Sequence, residues 1–144
     1  MLLLNTVYSP SYSCKFVCIR GKKIMIEKKY TWHKIADHLN ELSFADNNIV
    51  VVEVCGQKMC IGKHNELAFA FAYKCPHAGG ILADGHIDAT GNVVCPLHRY
   101  KYNLQNGRNV SGEGYYLKHW PVELRDDGVF VGIEESGGIW NIFR

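Results

Sequence analysis

The sequence predicts an all-β domain made of short strands joined by turns. Runs of β-branched and aromatic residues recur along the chain, which is typical of strands. Glycine-containing turn signals separate these runs, as at Cys55-Gly56-Gln57 and Asp84-Gly85. Residues 67–73 alternate aromatic side chains with alanines, the period expected when the two faces of a strand have different neighbours.

The elements of this domain can be placed in order along the chain. The predicted strands span residues 30–36, 49–54, 58–63, 67–73, 116–124 and 129–133. Asp37 is the predicted cap of a short helical turn over residues 38–42. Asn65-Glu66 is expected to turn the chain into strand 67–73, and residues 125–128 to close the final hairpin.

Several cysteines and histidines are interpreted as structural or surface residues. Cys55 and Cys60 fall in the first hairpin and are predicted to be small buried residues of the sheet, in preference to redox partners. His33 and His38 are five residues apart, which matches neither a strand face nor a helix face, so a surface position is expected. The same surface position is expected for His86.

Composition indicates one domain with a hydrophobic core. The chain has 144 residues, of which 47% are hydrophobic, and this is too short for two large domains. Residues 1–29 contain six of the 16 basic residues but only one of the 14 acidic residues. The rest of the chain is slightly acidic and has no basic stripe with interleaved aromatics, which argues against a nucleic-acid partner.

The termini are interpreted separately from the body, residues 30–135. Residues 1–29 are predicted to be a basic extension, with disorder or a non-native origin left open. Met25 offers an alternative start, in which case residues 1–24 are an extension from an earlier start codon. Residues 136–144 are a tail in which Trp140 and Phe143 are expected to pack back on the body. The apolar start is too short to span a bilayer, and no transmembrane or targeting segment is found. The cysteines outside the main motif suggest no disulfide framework, so reduced thiols and a cytoplasmic location are expected.

The main motif is a pair of short boxes, C-P-H-A-G-G from Cys75 and C-P-L-H ending at His98, with seventeen residues between His77 and Cys95. Each box offers one thiolate and one imidazole, and a proline follows each cysteine. A two-iron cluster suits this donor set, because one iron can take the two cysteines and the other the two histidines. Neutral imidazoles add no negative charge, so reduction is electrostatically easier than in an all-cysteine cluster.

These boxes, with Gly79-Gly80 after the first and R-Y-K-Y-N-L-Q-N-G after the second, resemble those of Rieske-type 2Fe-2S ferredoxins of the soluble, oxygenase-associated type. The resemblance covers about residues 30 to 135. It implies a β-sandwich or partial barrel with a small inserted cluster-binding β subdomain at about residues 74–104. It also implies one 2Fe-2S cluster held by Cys75, His77, Cys95 and His98.

The resemblance also indicates which kind of Rieske protein is expected. Membrane-bound members have two further cysteines that join the ligand loops, and Gly80 and Leu97 occupy those positions here. Ring-hydroxylating oxygenases need a further iron site with two histidines and a carboxylate. Only His119 follows His98, so the chain is expected to be an electron carrier without catalytic activity of its own.

The expected partners are a reductase and a terminal oxygenase or similar oxidoreductase. Ala78, Gly79, Leu97 and Arg99 are the predicted docking face. Tyr102 occupies a position at which high-potential members carry tyrosine, and its hydroxyl is predicted to reach a ligand sulfur and raise the potential. Tyr100 replaces a serine that serves high-potential members as a second donor, so a low or middle potential is expected.

Two alternatives remain open at this point. The chain could be the small subunit of a larger oxidoreductase such as a nitrite reductase, although such subunits commonly lack these ligands. Alternatively, the same four donors could hold a structural zinc ion in a binding module without redox activity. Zinc fingers usually pair two cysteines in one box and two histidines in another, which differs from the spacing here.

Overall fold

The computed structural model of the chain describes residues 15–19, 22–26 and 28–135. Residues 30–135 form one compact unit. In the N-terminal part, β1 (Lys15–Ile19) and β2 (Lys22–Ile26) pair in an antiparallel hairpin. Trp140 and Phe143, whose packing the sequence predicts, lie outside the described residues. The origin of residues 1–24 from an earlier start codon stays a prediction.

The body contains three antiparallel sheets. Its first sheet has the order β10-β6-β5-β4, from β4 (Ile49–Val54), β5 (Gln57–His64), β6 (Leu67–Ala72) and β10 (His119–Trp120). The second has the order β11-β12-β3, from β3 (Tyr30–Ala36), β11 (Val122–Arg125) and β12 (Gly128–Glu134). The third has the order β7-β8-β9, from β7 (His86–Ile87), β8 (Asn92–Val94) and β9 (Lys101–Asn103). Short 3₁₀ turns span Leu39–Glu41 and Leu82–Asp84. The expected all-β fold is therefore confirmed.

Two-residue turns fix the register of the first sheet. Cys55 and Gly56 have φ values of 51° and 72°, and Val54 pairs with Gln57. Positive φ at both central residues is the pattern of the hairpin turn whose twist matches that of the strands it joins. Asn65 and Glu66, at 49° and 60°, make the next turn in the same way. Both predicted turns are confirmed.

Strand β6 separates the two hydrophobic cores of the body. Phe71 is fully buried in the core that also contains Cys75 and Cys95, and Phe69 packs against that core. Ala68 and Ala70, on the opposite face, belong to the core beneath the second sheet. The predicted alternation of the strand therefore holds. The candidate cysteines therefore share a hydrophobic core with the aromatic face of β6.

Asn47 connects the first sheet to the third. Its side-chain amide donates hydrogen bonds of 2.8 Å to the backbone carbonyls of Ala83 and Gly85, just before β7. Its carbonyl oxygen accepts the backbone N–H of Ile49 at 3.2 Å. One side chain thus satisfies backbone groups on both sides of the junction and fixes how the third sheet leaves the first.

The predicted strand 116–124 is wrong as a single element, because Pro121 divides it. Before the proline, β10 pairs with β6 in the first sheet. After it, β11 pairs with β12 in the second sheet. Proline has no N–H to donate to a continuous ladder, whereas its carbonyl accepts the backbone N–H of Gly132 at 2.9 Å. The chain therefore changes sheets at this residue.

The predicted cap of the first helical turn is also wrong. His38 occupies the N-cap position, and the Asp37 carboxylate forms an ion pair with Lys34 instead. The Glu41 side chain accepts the backbone N–H groups of Asp37 and His38 at 2.9 and 3.4 Å. A glutamate from inside the turn thus accepts the N–H groups that precede the turn, and the Asp37 carboxylate is not its cap.

The two hairpin cysteines have different environments. Cys60 is fully buried, as predicted, and burial raises the pKa of its thiol to about 12. Cys55 is exposed, so its predicted burial is wrong. It lies in the turn itself, where its side chain leaves the sheet, and its Sγ is 3.4 Å from Nε2 of His33.

Asp88 stabilises the turn that precedes β8. Its Oδ1 accepts the backbone N–H groups of Thr90 and Asn92, each at 3.0 Å, and Lys101 lies 3.3 Å from its Oδ2. Burial raises the pKa of Asp88, but hydrogen bonds from the Thr90 hydroxyl, from Asn92 and from Lys101 lower it by more, so the pKa lies well below its ordinary value. The stabilisation is therefore complete above about pH 4, the range of an unfolded aspartate, and is lost as the pH falls further.

We expect Asp88→Ala to lower the free energy of unfolding at neutral pH by about 1–3 kcal/mol, because the backbone and side-chain N–H groups of the buried Asn92 lose their acceptor. The loss should shrink below pH 4, because the carboxylate then takes up a proton in the unfolded chain while it is still ionised in the folded one. Urea unfolding of the wild-type protein and the variant, at neutral pH and again below pH 4, measures the loss under each condition. Asp126→Ala, at an exposed turn residue, is the control and should change stability little. Equal effects of the two substitutions would contradict this role of Asp88.

Candidate functional site

Two loops with matching backbone geometry carry the candidate ligands. In the first, the N–H of Cys75 donates to the carbonyl of Gly80 at 2.8 Å, and the N–H of Gly79 donates to the carbonyl of Cys75 at 2.9 Å. In the second, Cys95 donates to Tyr100 and accepts from Arg99 at the same distances, 2.8 and 2.9 Å. The two Cys-Pro boxes therefore fold into the same local structure.

Each loop closes through a residue in the left-handed region of backbone conformation. Gly79 has φ of 72°, which glycine adopts without steric cost. Arg99, the corresponding residue of the second loop, has φ of 60° although it carries a Cβ. Such a conformation is unfavourable for a long side chain and persists only where the surrounding structure imposes it.

The candidate sulfur ligands are buried at the base of the loops. Cys75 is 4% exposed and Cys95 is 1% exposed. Burial raises the pKa of the Cys95 thiol, while backbone N–H groups of Leu97 and His98 act in the opposite direction by hydrogen bonding to its sulfur. Neutral thiols tolerate this apolar environment. Thiolates here would need the positive charge of a metal centre.

The Tyr102 side chain is fully buried, and its hydroxyl lies 3.3 Å from Sγ of Cys75. Burial and the neighbouring Cys75 both raise the pKa of Tyr102, so the phenol keeps its proton. When Cys75 is a thiolate, the sulfur can only accept, and the phenol becomes the donor. This contact agrees with the sequence prediction for Tyr102.

The candidate imidazoles lie next to each other at the end of the loops. The ring centroids of His77 and His98 are 4.9 Å apart in an edge-to-face arrangement. Nδ1 of His77 is buried and has no hydrogen-bond partner. Because buried polar atoms are rarely left unpaired, this nitrogen indicates a missing binding partner such as a metal ion.

The donors are arranged in pairs. No group of three or more His, Cys, Asp or Glu side chains that could hold a single metal ion occurs within residues 28–135. The thiols of Cys75 and Cys95 interact with each other, as do the rings of His77 and His98. Two metals with two protein ligands each suit this arrangement better than one tetrahedral zinc ion with four.

Gly80 brings the first loop close to the sulfur of the second. A Cβ at this position would lie 2.9 Å from Sγ of Cys95 and 3.1 Å from Cβ of Leu97. A Cβ at Gly79 would meet no atom within 4 Å. The two adjacent glycines therefore serve different purposes, since Gly79 allows the backbone conformation and Gly80 allows the close approach of the loops.

The four residues of the predicted docking face, Ala78, Gly79, Leu97 and Arg99, are all exposed. Sequence reasoning missed Tyr115, whose ring centroid lies 5.2 Å from that of His77, and the contact of Tyr100 with the same imidazole at 4.4 Å. No local signal could have identified Tyr115, because it is far from the boxes in sequence. The sequence shows only that several tyrosines follow His98, and it does not indicate which of them contacts His77.

The family comparison decides what this site is. The family model described as the Rieske [2Fe-2S] domain matches residues 31–118, more than half of the chain. The chain belongs to the Rieske [2Fe-2S] domain family. The resemblance drawn from the two boxes is confirmed, and this Rieske domain binds a 2Fe-2S cluster.

The sequence identity of this chain to individual proteins of known description is low. The ferredoxin component of the alkene monooxygenase system of Xanthobacter autotrophicus (strain ATCC BAA-1158 / Py2) is 24% identical over 89 residues, which cover 62% of this chain and 73% of that protein. A solved chain from the complex of reduced oxygenase and oxidized ferredoxin in carbazole 1,9a-dioxygenase is 21% identical, with a TM-score of 0.60. It covers 70% of this chain and 92% of its own length.

The fold is also shared outside oxygenase systems. A Mycobacterium tuberculosis protein assigned as the small subunit of an NADH-dependent nitrite reductase is 14% identical, with a TM-score of 0.63. The match covers 73% of this Rieske domain's chain and 96% of that protein. At such identities, a structural likeness shows the fold alone. The described residues contain no helix long and apolar enough to cross a membrane.

We expect Gly80→Ala to reduce cluster incorporation, because the new methyl group displaces either Cys95 or the first loop. Gly79→Ala is the matched control, since it strains the backbone by about 1 kcal/mol without a steric contact. Iron and acid-labile sulfide per chain, measured after identical anaerobic preparation, compare the two. Full incorporation in Gly80→Ala would show that the close approach of the loops is unimportant.

Proposed function

We propose that the chain is a one-electron carrier in which Cys75 and Cys95 hold one iron of the cluster and His77 and His98 hold the other. The main support is the unpartnered, buried Nδ1 of His77 beside a second imidazole, at the end of two loops whose bases bring two thiols together. When bound, the cluster supplies a site that can gain and lose one electron.

The residues around the proposed ligands hold the geometry fixed while charge changes. The matching loop hydrogen bonds and the buried core beneath the cysteines resist rearrangement. Backbone N–H groups at Cys95 and the phenol at Cys75 point at the sulfurs, where they stabilise negative charge. The neutral imidazoles keep the oxidised site from starting with excess negative charge, so electron uptake costs less.

The proposed partners are a reductase that donates the electron and a terminal oxygenase or similar enzyme that accepts it. The Xanthobacter relative is a ferredoxin component of a monooxygenase system, which supports partners of this kind. Ala78, Gly79, Leu97 and Arg99 form the proposed docking face, and residues 30–135 the proposed functional domain. The free thiols among the described cysteines favour the cytoplasm.

A subunit role in a nitrite reductase is the second candidate, because the same fold occurs in the Mycobacterium tuberculosis protein. Retention of both cysteine–histidine boxes favours the electron carrier. Co-purification with a large reductase subunit would favour the second role instead. The zinc-binding module left open by the sequence is not retained, because the matching family is a 2Fe-2S domain.

Anaerobically prepared protein should contain two irons and two acid-labile sulfides per chain and absorb visible light. Dithionite reduction should give an electron paramagnetic resonance signal. His98→Ala should lose the cluster, whereas His86→Ala, at an exposed histidine of β7, should retain it. Colourless protein that contains zinc, or an intact cluster in His98→Ala, would refute the assignment.

Tyr102→Phe should lower the midpoint potential by about 40 mV, which corresponds to the loss of a hydrogen bond of about 1 kcal/mol to the Cys75 sulfur. The sign follows because the hydrogen bond favours the more negative, reduced form. Protein-film voltammetry measures the shift, and unchanged visible absorption shows that ligation is intact. Tyr73→Phe, at a partly buried tyrosine before the first box, is the matched control. An unchanged potential in Tyr102→Phe would exclude this tuning role.

A further inference from the structure

We propose that Tyr100 and Tyr115 cover His77 and confine electron exchange to the edge of His98. This proposal rests on the proposed function, because it concerns how the same site meets its partners. It makes the edge of one imidazole, and not of both, the exit for the electron. The difference between the two imidazoles follows from the aromatic contacts, because both tyrosines pack against His77 whereas only Tyr100, at a longer distance, is near His98.

Two tyrosines from separate segments contact the His77 ring. Tyr100, at the end of the second ligand loop, lies 4.4 Å from it between centroids, with an interplanar angle of 42°. Tyr115 lies 5.2 Å away at 64°, and the two phenol rings are 6.1 Å apart. These distances are in the range of direct aromatic packing. Three rings therefore pack against His77, the two phenols and the neighbouring imidazole.

The matching loops show where this asymmetry comes from. Tyr100 and Gly80 occupy the same position relative to their cysteines, since each accepts the N–H of the cysteine five residues earlier. Gly80 has no side chain to place over His98. Tyr100 projects a ring toward His77 from the opposite loop, although its centroid is 6.5 Å from that of His98. Two loops of one shape thus leave their histidines in different environments.

Exposure follows the same asymmetry. His77 is half-buried, whereas His98 is exposed between Leu97 and Arg99, which are themselves exposed. Leu97 has 55% of its surface accessible, a large value for an apolar side chain beside a site. A partner that approaches His98 therefore meets an apolar contact and a cation. The complementary surface carries an apolar patch and a carboxylate.

Hydroxyl-radical footprinting by water radiolysis, read by mass spectrometry, tests the cover on the holoprotein. His98 should be labelled several-fold faster than His77. Tyr115→Ala should raise the labelling of His77 several-fold, while Tyr116→Ala should leave it unchanged. Tyr116 is the matched control because it is the next residue and is 65% exposed, against 38% for Tyr115. Equal labelling of the two histidines in the wild-type protein would overturn the proposal.

Electron exchange tests the consequence. Stopped-flow oxidation of the reduced protein by a small outer-sphere cobalt complex should be faster in Tyr115→Ala, which opens a second exit, and unchanged in Tyr116→Ala. Leu97→Trp should slow the same reaction by covering His98. An unchanged rate in both Tyr115→Ala and Leu97→Trp would overturn confinement to His98. The labelling ratio can also be measured on metal-free chain, so loss of the cluster, which would refute the proposed function, is distinguishable from failure of the cover.

Discussion

The structure of the site depends on one backbone interaction that occurs twice. The carbonyl of each box cysteine accepts an N–H from the residue four positions later, and that residue has a left-handed conformation that turns the chain back toward the cysteine. Glycine provides it in the first loop. Arg99 provides it in the second at a steric cost of about 1–2 kcal/mol. Such a cost is tolerated because the loop places one sulfur inward and one imidazole outward at the same time.

The loops hold this geometry because they rest on a core that the first sheet shares. Phe71 of β6 and Tyr102 of β9 belong to the same buried cluster as both cysteines. Strand β6 contributes its alanine face to the other core, so displacing the ligand loops would disturb packing on both sides of the sheet. The site is therefore preorganised by the domain and not only by its metal-binding loops.

The features that the sequence predicted correctly are those that depend on neighbouring residues in the chain. The turns at Cys55-Gly56 and Asn65-Glu66, the alternation of β6 and the two boxes all depend on residues close together in the chain. The wrong predictions concern residues whose local sequence is compatible with two structural roles. Pro121 ends one ladder and starts another, Asp37 pairs with a lysine, and Cys55 lies in the turn instead of the strand. The Tyr115–His77 contact could not be predicted, because it joins segments through the fold alone.

On the proposed ligation, the two ends of the site have separate tasks. The sulfur end is buried and receives hydrogen bonds from Tyr102, Leu97 and His98, so it determines how favourable the added electron is. The imidazole end reaches the surface, so it determines where the electron leaves. Because the Tyr102 side chain is buried and Tyr115 is partly exposed, a substitution at one of these positions can change one task with little effect on the other. The potential and the docking face of such a carrier could then be adapted independently to different partners.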